Sequence, residues 1–302
     1  MPSVADKRRA FHELHKSGCF VIPNPWDIAS ARYLQNLGFK ALATTSAGFN
    51  FWQGYPDHGP SHDMVLAHLH AVVAATDLPV NADFEGGFAH DPAGVAESVR
   101  LAVETGVAGL SIEDLTGDKD KPLYDFDHAV ARMRAARQAI DRAGGDALLV
   151  GRSEGFVAGA PDLGETIRRL KAYAAAGADC LYAPGIKTRE EIAAIVQAVA
   201  PKPVNLVIGR PIGLTVAEVA ALGVRRISLG CGLARAAWGG FMRAAKLIAE
   251  DGRFDGLADA TSWAELNHLF AARPRPFAYS PRISDRCGDG LRSHLRESES
   301  RT

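Results

Sequence analysis

The segment 147–183 reads ALLVGRSEGFVAGAPDLGETIRRLKAYAAAGADCLYA. The short apolar run at 147–152 is typical of a buried strand, and the Ala- and Arg-rich stretch at 162–176 has helical spacing. Gly177 closes this helix, and a second apolar run follows at 180–183. The order strand, helix, strand predicts a βαβ unit with parallel strands.

The same unit recurs along the whole chain. Four helical segments end in a similar glycine step, at Gly38, Gly106, Gly177 and Gly223, and a new strand follows each. The apolar runs lie at 20–23, 41–45, 79–83, 109–113, 147–152, 180–183, 203–207 and 226–230. Eight βα units predict a (β/α)8 barrel. A dinucleotide-binding sheet is disfavoured, because no Gly-x-Gly-x-x-Gly turn follows the first run.

Local signals set the expected bounds of this barrel. Asp91-Pro92 opens one helix with a cap and a first-turn proline, and Thr188 opens another with a capping-box pattern. Further helices are expected at 232–250 and 257–270. We therefore expect one barrel domain with C-terminal helices over 1–273, followed by a flexible tail over 274–302, which is rich in Ser, Arg and Gly.

Composition excludes several classes of protein. The 302 residues carry 34 Lys+Arg against 35 Asp+Glu, a formal net charge of −1, so nothing draws the chain to nucleic acid or an anionic membrane. No apolar run approaches the roughly 18 residues of a membrane span, and no signal peptide is visible. The 4 cysteines have no metal or redox spacing. We expect a cytoplasmic protein.

Polar side chains end the central strands of the predicted barrel. Asp83 and Glu85 follow the third run, Glu113 ends the fourth and Arg152 the fifth. The carboxyl ends of barrel strands meet at one mouth, where like charges need a cation. Hard oxygen ligands favour Mg²⁺ or Mn²⁺, with Asp83 as direct ligand and Glu85 and Glu113 holding metal-bound waters. Arg152 would grip a substrate carboxylate or phosphonate.

Other groups near this mouth have weaker signals. Tyr182 ends the sixth run and Asn205 lies in the seventh. The glycine-rich stretches 209–210 and 230–232 suit either a phosphate site or, as we favour, ordinary tight turns. Histidines 58, 62, 68 and 70 are expected on a loop and an exposed helix face. No lysine projects from a strand, which disfavours imine catalysis.

Five motifs in this order resemble the isocitrate lyase/phosphoenolpyruvate mutase superfamily over about residues 24 to 250. They are Asn24-Pro-Trp-Asp27, Thr44-Thr-Ser-Ala-Gly48, Asn81-Ala-Asp-Phe-Glu-Gly-Gly87, Ser111-Ile-Glu-Asp114 and Gly151-Arg-Ser-Glu154. The resemblance implies a barrel with a Mg²⁺ site that binds a 2-oxo or 2-hydroxy acid. It also implies a homotetramer in which the helix at 232–250 packs on a neighbouring subunit.

The resemblance also implies roles for single residues. Asp83, Glu85 and Glu113 match the metal site, with Asp57 as a further metal-site aspartate. The stretch Ser46, Ala47 and Gly48 matches a loop whose backbone receives the substrate carboxylate. Arg152, Tyr182 and Asn205 complete the expected substrate contacts, and Arg152, Asp57 and Glu113 are the residues expected in catalysis.

One departure bears on the reaction. Lyases of this superfamily carry a Lys-Lys/Arg-Cys-Gly-His motif on the loop after strand four, but here Leu115–Tyr124 contains neither Cys nor His. Asp57, Tyr182 or a loop residue could serve as the base, and Lys119 and Lys121 could gate the site.

Three functions stay open at this point. The first is a Mg²⁺-dependent lyase that cleaves a C–C bond of a small 2-oxo or 2-hydroxy di- or tricarboxylic acid through a metal-stabilised enolate, like oxaloacetate decarboxylase or methylisocitrate lyase. The second is a C–P bond enzyme, like phosphonopyruvate hydrolase or phosphoenolpyruvate mutase. The third is a catalytically weak binder of 2-oxo acids.

Overall fold

A parallel eight-stranded sheet forms the centre of the molecule. The structure is a computed structural model that describes residues 2–271. Its strands are β1 Phe20–Ile22, β2 Leu42–Ala43, β3 Val80–Asp83, β4 Gly109–Glu113, β5 Leu148–Arg152, β6 Cys180–Tyr182, β7 Val204–Val207 and β8 Arg226–Ser228. Each pairs with its neighbour in the chain from β2 to β8, and β8 returns to β1. The predicted (β/α)8 barrel is confirmed.

Between β1 and β2 the barrel closes through single hydrogen bonds rather than through paired strand residues. We call this junction the seam. The amide of Ala43 donates to the carbonyl of Pro23 at 3.0 Å. Beside it, the buried Asn24 amide group donates to the carbonyl of Thr44 at 2.8 Å, while its oxygen accepts from the amide of Leu229 at 2.8 Å. One side chain therefore connects the ends of three strands at the carboxyl side of the barrel.

Helices cover the outside of the barrel. They are α1 Val4–Lys16, α2 Ile28–Asn36, α3 Ser46–Trp52, α4 His62–Ala75, α5 Pro92–Glu104, α6 Phe126–Arg142, α7 Leu163–Ala175, α8 Arg189–Val199, α9 Val216–Ala221, α10 Gly232–Asp251 and α11 Trp263–Ala271. The expected starts are confirmed: Asp91 caps α5, and Thr188 forms a capping box with Glu191 at α8. These caps satisfy amide groups that a helix leaves free at its start.

The glycine steps have the conformation that ends a helix. Gly38, Gly106, Gly177 and Gly223 have φ of +86°, +88°, +107° and +88°. A side chain disfavours this left-handed backbone, so glycine lets each helix stop and the chain turn into the next strand.

Helix α1 closes the end of the barrel opposite the carboxyl ends of the strands. Phe11 is fully buried among side chains of the barrel floor, including Ile22 and Leu148. Lys7 donates to the carbonyls of Val73 and Thr76 at 3.0 and 2.6 Å. This end is thus filled by an aromatic ring and fastened through backbone carbonyls.

The C-terminal helices differ partly from expectation. Helix α10 matches the prediction, but the one expected at 257–270 begins at Trp263, because Ser262 accepts the amide of Glu265 at 3.2 Å and caps it there. The expected tail at 274–302 lies outside the described residues. Across residues 2–271, every helix is too short or too polar to span a bilayer.

Candidate active site

One arginine gathers three carboxylates at the mouth of the barrel. The Nη1 of Arg152 donates to Oδ1 of Asp83 at 3.0 Å and lies 3.2 Å from Oε2 of Glu113. Its Nε donates to Oε1 of Glu154. The strand register explains the convergence, because Glu113 of β4 is the direct partner of Arg152 on β5. The structure therefore brings Asp83, Glu113 and Arg152 together, and adds Glu154.

The residues after β2 hold Asp83 in place. Ser46 donates to Oδ2 of Asp83 from its backbone amide at 3.0 Å and from its hydroxyl at 2.9 Å. Thr44 accepts the backbone amide of Asp83 at 2.9 Å. Both oxygens of the Asp83 carboxylate thus have donors, and its orientation is fixed by the neighbouring strand.

The stretch expected as a carboxylate-binding loop is the first turn of α3. The amide of Gly48 donates to the hydroxyl of Thr45 at 3.2 Å, which leaves it committed within the protein. A Cβ at Gly48 would lie 2.5 Å from Cγ2 of Thr45, and 3.2 and 3.3 Å from the Cβ atoms of Trp26 and Ala234. Glycine here permits close packing with α10. Ser46 and Ala47 line the main cavity, and Gly48 is buried outside its lining.

A second acidic group joins the loop before α4 to the residues after β3. Ligand atoms of Asp57, His58 and Glu85 all lie within 4.8 Å of one another, an arrangement that could hold a metal ion. Nδ1 of His58 is 3.0 Å from Oε2 of Glu85. His58 and Glu85 have φ of +61° and +47°, a left-handed backbone that non-glycine residues adopt at a cost, typically where surrounding structure imposes it.

Sequence reasoning missed His58 as a site residue. It was expected merely on a loop, although its place directly after Asp57 was a usable signal. The expectation for His68 was wrong: its ring is buried and stacks on Phe49 at 4.0 Å, because this face of α4 packs against α3.

The mouth holds more carboxylates than its cations balance. Arg152 and His58 face five acids: Asp57, Asp83, Glu85, Glu113 and Glu154. Burial raises the pKa of Glu113 to about 8, although Arg152 opposes the shift. Burial also raises the pKa of Glu154, whose Oε2 has no hydrogen-bond partner. Such a surplus of carboxylate oxygens, one of them without a hydrogen-bond partner, is a suitable set of ligands for a divalent cation.

The cavity beside this cluster has a volume of about 420 Å³ and a cationic wall. Asp57 and Asp83 are its only acidic lining residues among those described. The basic lining residues are Arg152, Lys187, Arg210, Arg226 and Arg235. The last four were not among the expected site residues. Arg152 is already paired with carboxylates of the protein, but the other four cations outnumber the two lining carboxylates, which favours an anionic occupant.

Tyr182 and Asn205 both line this cavity, on β6 and β7. The guanidinium of Arg152 lies 5.1 Å from the centroid of the Tyr182 ring, a cation–π contact. Burial raises the pKa of the Tyr182 phenol well above its ordinary value, so the group is neutral and can donate. Asn205 is fully buried and donates to the hydroxyl of Ser228 at 2.9 Å.

Asp114 supports the site from outside the barrel. Its carboxylate accepts from the phenol of Tyr173 at 2.6 Å, from Arg169 at 3.2 Å and from the backbone amide of Glu154 at 2.8 Å. It therefore fixes the turn that carries Glu154, while Glu113 beside it in sequence faces the mouth.

The loop after β4 folds over a second cavity of about 480 Å³. Leu115 and Leu123 form a bridge at its base, and Lys119 lines the cavity together with Glu85 and Glu113. Lys121 instead pairs with Asp125 at 2.7 Å on the surface. The acidic cluster thus lies between two cavities.

A (β/α)8 barrel with carboxylates and an arginine at this mouth defines the class: an enzyme of the isocitrate lyase/phosphoenolpyruvate mutase superfamily. The chain belongs to the phosphoenolpyruvate phosphomutase family, whose model matches residues 11–249. The expected resemblance is confirmed, and with it the assignment as an enzyme.

Three relatives illustrate the range of this class. A Burkholderia cenocepacia J2315 structure, provisionally named a lyase/mutase, is 48% identical with a TM-score of 0.87, covering 89% of this chain and 98% of that one. Oxaloacetate decarboxylase of Paraburkholderia xenovorans is 32% identical, over 74% of this chain and 75% of that protein. A phosphonopyruvate hydrolase complex with oxalate and Mg²⁺ is 28% identical with a TM-score of 0.76, over 87% and 94%.

Proposed function

We propose that this protein is a Mg²⁺-dependent lyase that cleaves a C–C bond of a small 2-oxo or 2-hydroxy di- or tricarboxylic acid. The observation that carries the proposal is the juxtaposition of an acidic mouth with a cationic cavity wall. The first suits a divalent cation, and the second suits a substrate with more than one carboxylate. The similarity to an oxaloacetate decarboxylase supports the same reaction class.

The metal would be held by Asp83, Glu85 and Glu113, with Asp57 and His58 beside them. Bound there, Mg²⁺ would supply positive charge that stabilises the negative charge developing on the substrate oxygens. Mn²⁺ has similar ligand preferences. The surplus of negative charge at the mouth, with the raised pKa of Glu113, is the feature of this chain that a cation would relieve.

Arg152 is the main substrate contact in this proposal. Its planar guanidinium is already bound by carboxylates of the protein, and a substrate carboxylate would replace part of that set. Tyr182 stacks beneath it, Ser46 keeps Asp83 oriented, and Asn205 adds a polar contact deeper in the cavity.

The proton that completes the reaction would come from His58. The hydrogen bond to Glu85 raises the pKa of His58 to about 9, which favours the protonated ring that a general acid requires. Asp57 and Tyr182 are the alternatives at this mouth. The loop after β4 offers no Cys or His for the purpose.

Cleavage of a C–P bond is the second candidate. Lys187 and Arg210 enlarge the positive charge of the cavity wall, and a phosphonate would satisfy it as well as a carboxylate does. The similarity to phosphonopyruvate hydrolase points the same way. Binding of 2-oxo acids without turnover is the third candidate.

The test is pyruvate release from oxaloacetate, methylisocitrate and phosphonopyruvate, each with and without Mg²⁺. Asp83→Ala should abolish turnover, whereas Asp259→Ala, an exposed aspartate on the far C-terminal segment, should leave it unchanged. Turnover of phosphonopyruvate alone would select the second candidate. Mg²⁺-dependent binding without turnover would select the third, and indifference to Mg²⁺ would refute all three.

Self-association into a homotetramer through α10 is part of the proposal. Trp238, Phe241 and Met242 on this helix are 40%, 62% and 61% exposed, and Trp52 of α3 is 52% exposed nearby. A contiguous apolar patch of this kind is typical of a protein interface. Light scattering should give the mass of four chains, and Phe241→Glu should reduce it.

A further inference from the structure

Arg226 lies inside the barrel without an acidic partner. Its side chain is 2% exposed, and its Nε and Nη1 donate to the amide oxygens of Asn205 and Asn81 at 2.8 and 3.3 Å. Within residues 2–271, no carboxylate forms an ion pair with it, and its Nη2 has no hydrogen-bond partner. Arg152, in the same cavity, contacts three carboxylates.

The strand register links these two arginines. Arg152 on β5 is the partner of Tyr182 on β6, which pairs with Asn205 on β7, which pairs with Arg226 on β8. Because the strands of a closed barrel are staggered, a row of register partners descends from the mouth into the interior. All four residues line one cavity, so the row forms a polar wall that runs from the mouth to the floor.

The charge of Arg226 is costly where it lies. Burial lowers its pKa, and the groups that face it are neutral: the amides of Asn81 and Asn205, the phenol of Tyr182, the thiol of Cys180 and the imidazole of His15. An apolar side chain would fill the same space at a lower cost in stability. A buried guanidinium with a free Nη2 toward a cavity is instead suited to a bidentate anion.

We propose that Arg226 and Ser228 form an inner anion subsite at the floor of the cavity, which binds the carboxylate remote from the reacting 2-oxo or 2-hydroxy acid group. Ser228 accepts a hydrogen bond from Asn205, so its own hydroxyl proton is available to the anion. This inference rests on the proposed function for the orientation of the substrate. It makes Arg226 the residue that selects dicarboxylic over monocarboxylic acids.

Binding of matched ligand pairs tests the subsite without requiring turnover. Titration calorimetry with Mg²⁺ would compare malate with 2-hydroxybutyrate, and 2-oxoglutarate with 2-oxovalerate, where a methyl group replaces the remote carboxylate. At least one dicarboxylate should bind tenfold or more tightly than its partner. Arg226→Gln should reduce that ratio to within twofold, Arg226→Lys should keep part of it, and pyruvate should bind equally to all forms.

Arg225→Gln is the matched control. Arg225 precedes Arg226 but lies outside the barrel, where it donates to the carbonyl of Gly18. This variant should keep the wild-type ratio. Thermal unfolding should show that Arg226→Gln is still folded during the titration, because the loss of a costly buried charge offsets the loss of its bonds to Asn205 and Asn81.

Several outcomes would overturn the subsite. They are no preference in either pair, no binding of either dicarboxylate at 10 mM, a preference unchanged in Arg226→Gln, or an equal loss of mono- and dicarboxylate binding in that variant. Failure of the proposed function would look different: pyruvate release would be absent while the ligand preference, and its loss in Arg226→Gln, remained.

Discussion

Charged side chains have different kinds of partner at the two ends of the barrel. At the floor, Lys7 and Arg8 of α1 end on backbone carbonyls and, for Arg8, on Asp146 at 2.7 Å. At the mouth, Arg152 is shared by three carboxylates and Glu154 keeps a buried oxygen without a partner. The cations of α1 at the floor are paired within the protein, whereas the mouth has more carboxylates than the cations beside them balance. We therefore expect the floor to contribute mainly to stability and the mouth mainly to function.

Asp83→Asn should show the largest effect, and only on function. The variant keeps the shape of the side chain but removes the charge that we expect to bind the metal. Turnover should fall by about a thousandfold, or about 4 kcal/mol, while the unfolding temperature should change little: the bond from Arg152 is weakened, but the crowded carboxylates of the mouth lose one negative charge. Steady-state kinetics and calorimetry measure the two quantities. A less stable but active variant would contradict the division between the ends.

Phe11→Ala should give the reverse result at the floor. Removing a fully buried ring leaves a cavity among Ile22 and Leu148 and should cost about 3–4 kcal/mol of unfolding free energy. Urea unfolding measures the loss, and kcat/KM of the folded protein should stay within twofold of the wild type. Phe254→Ala, at a residue 68% exposed, is the control and should change neither.

Lys7→Met should have a smaller effect on the same end. The variant keeps the aliphatic stem but leaves the carbonyls of Val73 and Thr76 without this donor, at a cost of about 2 kcal/mol. The measurement is again urea unfolding. A loss below about 0.5 kcal/mol would mean that water replaces the ammonium group and that the floor is less dry than its burial indicates.

Two buried histidines give the smallest effect, on the pH dependence of stability. Burial lowers the pKa of His15 on α1 to about 3 and that of His68 on α4 to about 4. Both values lie below the ordinary 6.5, so the unfolded chain binds protons first. The stability that the two neutral histidines contribute is complete above pH 6.5 and is lost as the pH falls toward 4.

The unfolding free energies at pH 7.5 and pH 5.5, compared between the wild type and a variant, isolate the contribution of His68. Each histidine should cost about 1 kcal/mol of unfolding free energy over this interval. His68→Phe, which fits the stack on Phe49 and removes an Nε2 that has no partner, should lose less than the wild type by that amount. Identical losses in both proteins would show that His68 is already charged in the folded state.

Much of this fold could be predicted because its signals are local. Continuous apolar runs marked all eight strands, and glycine steps with positive φ marked four helix ends. Polar residues at strand ends gave Asp83, Glu113 and Arg152, since a barrel brings those ends together whatever the loops do. Residue type and order were sufficient there.

The rest of the site depends on tertiary structure. Arg226 begins a strand and reads as a surface residue until the barrel closes around it. Lys187 and Arg210 lie on loops whose direction no local pattern fixes, and His58 reaches Glu85 only through a left-handed turn. The amide of Gly48, expected to receive an anion, donates to Thr45, and the small size of this residue allows close packing against Thr45, Trp26 and Ala234. The composition of the chain and the spacing of its residues therefore do not predict these contacts.

The junction between β1 and β2 at Asn24 has fewer hydrogen bonds than the other junctions of the barrel. Between β2 and β8 the strands are joined by continuous ladders, but β1 and β2 meet through the bond from Ala43 to Pro23 and through one side chain. Any breathing motion that opens the ring starts where the fewest bonds must break. The amide of Ala43 should thus exchange with solvent deuterium sooner than that of Leu149 on β5. Loss of the Asn24 side chain should increase this difference in exchange rate.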